Sequence, residues 1–495
     1  MELYQQSYID IKTLYAKADE LVGQIVTVCG WIKTRRIVGK IAKRIGFVEL
    51  SDGSQQVRLQ IIFDSKTLQD GNKEYFNELY DRATTGMSLK VTGLVVKSPA
   101  PEQPIELQAH QYHILGDVGD HEKYPVAKTE LGLEYLRTIP HLRIRTDTFS
   151  CVARIKSAMK MAFMEYFDRL GFFEVQVPLI TDNECESGAN PFTVTTLMGN
   201  GKVSDVPIKE DKTSIDYHKD FFRKRCYLTV SGQLHLEALV LGGLSKAYCW
   251  TTAFRAEPST TRLHLGEFWM LELEFCFGTL QDNIAVNEGA IKHCIRTVLS
   301  KCKQDLEFLQ DKFDKDLIKK LEKYTVTPFI ITTHKECIKR MLEDEVAGKI
   351  RFETTPKYDD DLSKEHERYI TDVMYNSTPV FVCEFPFSCK AFYMPKLTND
   401  DGIYRTKNFD MLMPEMGETV GGSQREANYE KLIEQMKEKD IKPESLEFYS
   451  DLRKYGTVPH GGSGIGVDRL LMLMTGMNHI RDMIPFPRAY ETCLY

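Results

Sequence analysis

The chain lacks several features that would have named a function class at once. None of its twelve cysteines forms a Cys-x-x-Cys pair, so the spacing of a structural zinc site is missing. No apolar run approaches the roughly twenty residues that cross a bilayer, so no membrane partner is expected. No Gly-x-x-x-x-Gly-Lys-Ser/Thr loop is present to cradle phosphates. There is no internal repeat and no low-complexity tract. Positive charge is not in excess either: the net charge is −7, so any nucleic-acid partner must be met by a local patch. A chain of 495 residues needs no disulfide staple, and reduced thiols fit a cytoplasmic protein. The N-terminus shows no basic stretch followed by an apolar one, so no leader is expected.

What is present divides into two patterns. Residues 1–117 are expected to form a small β-domain. Strands are predicted at Ile25–Ile32, Gly46–Leu50, Val57–Phe63, Ser88–Val96 and Ile105–Gln108, with Ser51-Asp52-Gly53 as a turn. Five strands in so short a span suggest an OB-type barrel. Lys33, Arg35, Arg36, Lys40, Lys43 and Arg44 lie between the first two strands. Taken alone this is a solvated basic hairpin. With Phe47 to stack on a base and the amide of Gln60 to read an edge, it points to single-stranded nucleic acid. Residues 118–140 are expected to be a hinge. The segment 141–495 begins with a helical period through Val152, Ile155, Met159, Phe163, Tyr166, Phe167 and Leu170, capped by Asp147 or Thr148 and ended by Gly171. The strand Phe172–Val177 and Pro178 follow. Residues 280–375 are mixed, charged and helix-rich, as an insertion would be.

The chemistry-bearing residues come later. Phe254-Arg255-Ala256-Glu257 is followed by His264 and by Gly266-Glu267-Phe268-Trp269-Met270. A hairpin is expected, with Phe268, Met270, Glu272 and Glu274 on one face by the period of two. Gly461, Gly462, Gly464 and Gly466 precede Val467-Asp468-Arg469. Their spacing does not suit a dinucleotide loop, and too little chain follows to complete one. Together these segments resemble motifs 2 and 3 of the class II aminoacyl-tRNA synthetases. The helix, strand and proline from Asp147 to Pro178 resemble motif 1. The segments Gly421–Glu426 and Ile484–Arg488 are similar to the asparaginyl family within that class. The resemblance runs from about Val26 to Arg488.

The resemblance implies an α+β protein: an OB-fold anticodon-binding domain, then a catalytic domain on an antiparallel sheet flanked by helices. It implies activation of asparagine with ATP, Mg²⁺ as cofactor, tRNA(Asn) as acceptor, and a homodimer through motif 1. Arg255 would bind the α-phosphate, since an arginine fork suits two anions brought together. Phe268 would stack under adenine, Glu257 would accept from its amine, and His264 would sit near the γ-phosphate. Gly466 and Arg469 would complete the nucleotide site. Asp410 and Glu418 would hold Mg²⁺. Glu186 would take the α-amino group, with Gln233 assisting. Arg425 and Glu237 would read the side-chain amide. Arg35, Arg36, Phe47 and Gln60 would meet the anticodon.

The aspartate enzymes carry a lysine that is missing between Ser231 and Gly243. A glutamate about 4 Å from an aspartate substrate would cost about 4 kcal/mol at an effective dielectric near 20, so rejection by charge is expected. The alternatives are an aspartate–tRNA ligase, a non-catalytic tRNA-binding paralogue, and an ATP-dependent asparagine-forming enzyme. The chain departs from the family at Glu186-Ser187-Gly188-Ala189 and at Leu263, which stands before His264 where an arginine is usual.

Overall fold

The computed structural model describes residues 7–39, 45–68, 79, 82–100, 103–126, 130–183, 190–199, 201–397 and 401–495. They form two compact units: Met1–Ile155 with Cys302–Lys312, and Lys156–Lys301 with Phe313–Tyr495. Compactness thus groups residues 141–155 with the barrel, where the sequence places a boundary at 141. It also takes a short piece of the 280–375 segment into the first unit. There Asp305 accepts from Arg154 Nη2 at 2.7 Å and Nε at 3.0 Å.

The first unit is built on strands β1 (Ile25–Val38), β2 (Ile45–Ser51), β3 (Leu59–Asp64), β4 (Ser88–Lys97) and β5 (Ile105–Gly116). They close into a barrel in the order β1-β2-β3-β5-β4. Alternation drives the closure. Val48, Leu50, Leu59, Ile61 and Phe63 are buried while their neighbours stay part-exposed. Each buried aliphatic side chain contributes about 1.5–3 kcal/mol. β1 is longer than the sequence suggested. Its pairing with β2 continues past the barrel core, so Arg36 stands opposite Phe47. Lys33, Arg35 and Arg36 lie within this strand, where cross-strand pairing satisfies their backbone.

The second unit centres on a sheet. Its elements are β6 (Phe173–Glu174), α1 (Gln233–Leu239), β7 (Lys246–Phe254), β8 (Glu267–Cys276), α2 (Leu280–Lys301), β9 (Ile330–Thr333), β10 (Val380–Cys383), β11 (Asn408–Met413), β12 (Gly417–Gln424), α3 (Glu447–Lys454), β13 (His460–Gly466) and α4 (Val467–Thr475). The strand order is β9-β10-β11-β12-β13-β8-β7-β6. The centre is antiparallel. Only the outer pairs β6–β7 and β9–β10 run parallel. The helix-rich segment therefore supplies an edge strand, β9, as well as helices.

The helix Asp147–Arg169 ends as expected, with Gly171 at φ +74. Its start differs from expectation. The Phe149 N–H donates to Thr146 Oγ1, so Thr146 caps it. Asp147 is instead occupied by Lys33 and Arg58. The strand expected over Phe172–Val177 pairs at Phe173–Glu174 alone, because β7 offers only Ala247 and Tyr248 in register.

The glycine run is not a loop but β13, between β12 and β8. A Cβ on Gly462 would lie 1.9 Å from Glu274 Oε2 and 2.2 Å from the Leu273 carbonyl oxygen. Glycine there lets a buried carboxylate fit beneath the strand.

Candidate active site

A cavity of about 440 Å³ opens over β8, β12 and β13. Its floor is the predicted face of β8: Phe268, Met270, Glu272 and Glu274 all line it. The β7–β8 hairpin carries Arg255 just past β7, and its N–H donates to the Gly266 carbonyl at 3.0 Å. That bond keeps Arg255 and Phe268 side by side, with the guanidinium carbon 5.4 Å from the ring centroid. His264 meets Glu257 at 3.7 Å, and its Nδ1 lies against the Thr261 hydroxyl. Burial holds the His264 imidazole below its ordinary pKa, helped by Arg469, Lys364 and Arg255 and opposed by Glu257. Arg469, on the first turn of α4, donates to the Glu418 carbonyl at 2.6 Å. Arg255, Glu257, His264, Phe268, Gly466 and Arg469 are thus brought to one end of one cavity.

Beside them stand Asp410 of β11 and Glu418 of β12. A Cβ on Gly421 would lie 3.3 Å from Glu418 Oε1 and 3.9 Å from Asp410 Oδ1. The absent side chain leaves a small cradle between two carboxylates. Their environments differ. Burial raises the Asp410 carboxyl to about 7; Lys390 opposes this and Glu418 adds to it. Burial works on Glu418 in the same direction, yet Arg469, Lys390, Lys364 and Arg255 hold it below its ordinary value. Two hard oxygen donors facing that cradle suit Mg²⁺.

Lys390 escaped the sequence reading. Its Nζ donates to Asp410 Oδ2 at 2.7 Å and lies 4.0 Å from the Phe385 centroid. Burial works against its charge, but Asp410, Asp361 and Glu418 overcome it. No sequence signal could have found it, since it follows Phe387-Ser388-Cys389, which match no motif.

The far end of the cavity is closed by a polar cluster. Arg425 grips Glu274 with two bonds, Nε–Oε1 at 3.1 Å and Nη2–Oε2 at 2.9 Å. Its Nη1 donates to Ser423 Oγ at 2.6 Å, and the fork lies over Tyr393 at 5.1 Å. Burial and the neighbouring Glu237 push Glu274 up, while Arg425 pulls it back. Glu272 accepts from the Ser231 hydroxyl and, at 2.8 Å, from the Gly232 N–H. Alternation along β8 had already placed Glu272 and Glu274 on this face, without giving them roles.

Two expectations need correction. Glu237 does not line the cavity. It is fully buried and takes donors from Arg453 at 2.7 Å, Tyr449 at 2.8 and 2.9 Å, and Gln233 at 3.0 Å. His460 lies 3.1 Å away. A carboxylate offers about four lone-pair directions, and these partners fill them. Gln233 stands in front of it and does line the cavity. The second correction concerns Lys33, counted among the basic cluster. It is directed at the Arg145 carbonyl and Asp147, so it fastens the barrel to the following helix. Glu186, Lys40, Lys43 and Arg44 lie outside the described residues.

Glu237, Glu274 and His460 are the one group of three potential metal ligands among the described residues. Arg425 and Arg453 already neutralise its carboxylates, so nothing there calls for a cation.

On the barrel, Arg36, Phe47 and Gln60 share the outer face, with the Arg36 guanidinium 5.3 Å from the Phe47 centroid. Arg35 pairs with the inward-facing Val48 and alternates to the other side of the hairpin. Gln60 donates one amide N–H to Glu106 Oε2 at 3.0 Å, which leaves its second N–H and its carbonyl for a partner.

Comparison with known proteins places these observations in context. Residues 133–490 match the family of tRNA synthetases class II (D, K and N), and residues 26–115 match the OB-fold nucleic acid binding domain. The chain is 44% identical over 471 residues to the asparagine–tRNA ligase of Treponema denticola, covering 94% of this chain and 96% of that one. It is 41% identical over 464 residues to that of Borreliella burgdorferi, covering 94% and 95%. Among solved structures, asparaginyl-tRNA synthetase from Pyrococcus horikoshii complexed with asparaginyl-adenylate superimposes with a TM-score of 0.80 at 30% identity, covering all of both chains.

Proposed function

The chain belongs to the class II tRNA synthetases of the D, K and N group, and within it we propose an asparagine–tRNA ligase. It joins asparagine to ATP as asparaginyl-adenylate, releases pyrophosphate, and transfers the aminoacyl group to the 3′ end of tRNA(Asn). The observation that carries this reading is the single cavity: Arg255, Phe268 and Arg469 at one end, Arg425, Glu274 and Gln233 at the other. A nucleotide and a small amide-bearing amino acid meet only if both ends open into one space.

The reaction needs no side-chain nucleophile. The asparagine carboxylate attacks the α-phosphate, and two anions must be held in line. The Arg255 fork faces the α-phosphate and neutralises the charge that builds on it. Phe268 below and Arg469 above clamp adenine, with Glu257 accepting from its amine. His264 and Arg469 face the departing pyrophosphate. Asp410 and Glu418 are the residues that would hold Mg²⁺; when bound, it neutralises phosphate charge. Arg425 donates to the side-chain carbonyl of asparagine. Its own charge is already matched by Glu274, so an aspartate carboxylate there would face an acid with no free cation. Asparagine-dependent ATP–pyrophosphate exchange, run beside aspartate, tests the whole reading. An aspartate-dependent signal of equal size would overturn the pocket.

The Asp410 carboxyl gives a pH prediction. Its folded value, near 7, stands above the model-peptide value of about 3.9. Between those limits the folded protein holds a proton that the unfolded chain has lost. The ligand-free fold therefore loses this contribution as pH rises, and a cation must displace that proton. The Mg²⁺ concentration giving half-maximal exchange should rise up to about tenfold per pH unit below 7. Asp410→Asn should flatten that dependence. A wild-type requirement unchanged between pH 6 and 8 would remove Asp410 from the metal site.

The barrel face carries the anticodon reading through Arg36, Phe47 and Gln60. Phe47→Ala should weaken tRNA(Asn) binding by about 1–3 kcal/mol, the value of one stacked base, and leave exchange intact. Unchanged affinity at matched salt would exclude this face.

The homodimer rests on Met161, Phe173, Leu179 and Ile180, large apolar side chains that a single chain leaves exposed. Light scattering of the purified chain decides it. No helix among the described residues is long and apolar enough to cross a membrane. Cytoplasmic residence accords with the free thiols of the cysteines among the described residues and with tRNA as substrate.

A further inference from the structure

Helix α3 takes no part in the mechanism above, yet it holds the amino-acid end of the cavity from behind. We propose that Tyr449 and Arg453 are positioning residues for asparagine selection, acting through Glu237 on Gln233 and Arg425. The proposal rests on the asparagine reading of the pocket and adds the device that fixes its polarity.

Tyr449, Arg453, Glu237 and His460 are buried. The Tyr449 hydroxyl bridges both Glu237 oxygens at 2.8 and 2.9 Å. Arg453 Nη2 donates to Glu237 Oε2 at 2.7 Å and to the Tyr449 oxygen at 2.8 Å, and its Nε holds the Glu426 carbonyl at 3.0 Å. Glu426 directly follows Arg425, so one guanidinium ties Glu237 and the Arg425 backbone to the same helix. Burial opposes ionisation of Glu237, but Arg453, His460 and Arg425 overcome it and hold the carboxyl well below its usual range.

The consequence falls on Gln233. An amide has a donating and an accepting end, and rotation by a half-turn exchanges them. Glu237, ionised, accepts only. It takes the Gln233 Nε2 at 3.0 Å and leaves the carbonyl as the end offered to the cavity. Turned to the substrate side chain, rather than to the α-amino group where the resemblance put Gln233, such an acceptor favours N–H donors and opposes a carboxylate. A protonated or displaced Glu237 would let the amide turn and offer N–H instead, which an aspartate carboxylate would accept. The charged and polar groups facing Glu237 are Tyr449 and Arg453 from α3, His460 from β13, Arg425 beyond β12, Glu274 from β8 and Gln233 from α1. Only Tyr449 and Arg453 belong to neither the substrate pocket nor the glycine-rich strand.

Tyr449→Phe removes one hydroxyl without changing shape. Asparagine and aspartate are compared by ATP–pyrophosphate exchange between pH 6 and 8, with KM and kcat separated. For Tyr449→Phe, KM for asparagine should rise about 10- to 100-fold, the worth of a hydrogen bond to a charged group, with KM for ATP unchanged. The asparagine-to-aspartate ratio should fall at every pH in this range, because Arg453, His460 and Arg425 keep Glu237 ionised while its hold on the Gln233 amide loosens. The wild-type ratio should stay flat. Arg453→Lys, which keeps the charge but not the fork, should behave similarly and serves if Tyr449→Phe does not fold. Leu446→Ala, in the turn leading into α3, is the control: it destabilises the helix and should leave the ratio intact. If either folded variant keeps the wild-type ratio and asparagine KM across this range, or if Leu446→Ala shifts the ratio as much, the positioning role is excluded. Wild-type exchange that ignores asparagine would instead overturn the ligase reading.

Discussion

Arg255→Ala is expected to lower asparagine-dependent pyrophosphate exchange by about a thousandfold or more while tRNA affinity stays within about twofold. Losing one preorganised donor to a developing charge costs about 10²–10³ in rate, and Arg255 offers a charged, forked pair of them. It stands where the β7–β8 hairpin leaves its last paired strand, anchored through the Gly266 carbonyl and lying over Phe268. The adenine and Mg²⁺ roles proposed above fall to other residues. The fall should therefore appear in kcat more than in KM for ATP. Filter binding of tRNA(Asn) measures the second half of the expectation, since the barrel is a separate compact unit. Near-normal exchange by a folded Arg255→Ala variant would sink the nucleotide assignment.

Arg425→Leu should have a comparable effect through different physics. The side chain is buried, bound twice to Glu274 and 3.8 Å from Glu237. Removing it strips buried Glu274 of its bound cation and takes a second cation from Glu237, which Arg453 still holds at 2.7 Å. Breaking a buried pair this way costs about 3–5 kcal/mol, so the thermal midpoint should drop visibly. Exchange with asparagine should fall about a thousandfold, because the donor proposed for the side-chain carbonyl is lost together with the geometry of Glu274. The double variant Arg425→Met with Glu274→Gln separates the two causes. It removes both charges at similar volume and should regain stability without regaining asparagine activation. Recovery of activity with stability would mean that Arg425 only supports the fold.

The two variants probe the two ends of the cavity, and the ends were legible to different degrees. The nucleotide end was written locally. Arg255, His264 and Phe268 sit on one hairpin, and β-pairing with a period of two fixes their relative positions whatever the rest of the chain does. The amino-acid end is assembled from β8, β12, β13, α1 and α3. Sequence named Arg425, Gln233 and Glu237 through resemblance, but nothing in their spacing says which faces the substrate. Burial behind Gln233, with four groups already bonded to it, puts Glu237 behind the cavity wall rather than in it.

The same division runs through the rest of the molecule. Alternating strands and turn residues determined the barrel, because a half-buried strand must repeat every second residue. Apolar spacing at the helical period determined the Asp147–Arg169 helix, and Gly171 ended it because glycine accepts a positive φ. The glycine run and Arg469 marked the strand–helix junction beside the nucleotide site. Only tertiary structure decided that Lys33 fastens the barrel rather than meeting nucleic acid, since Asp147 lies far along the chain. It alone placed Lys390 on Asp410 and raised that carboxyl toward 7, and it alone brought α3 behind Glu237. Local sequence fixes what backbone periodicity can fix; charge states and hydrogen-bond allegiance depend on which distant groups share a dry interior, and the fold chooses those.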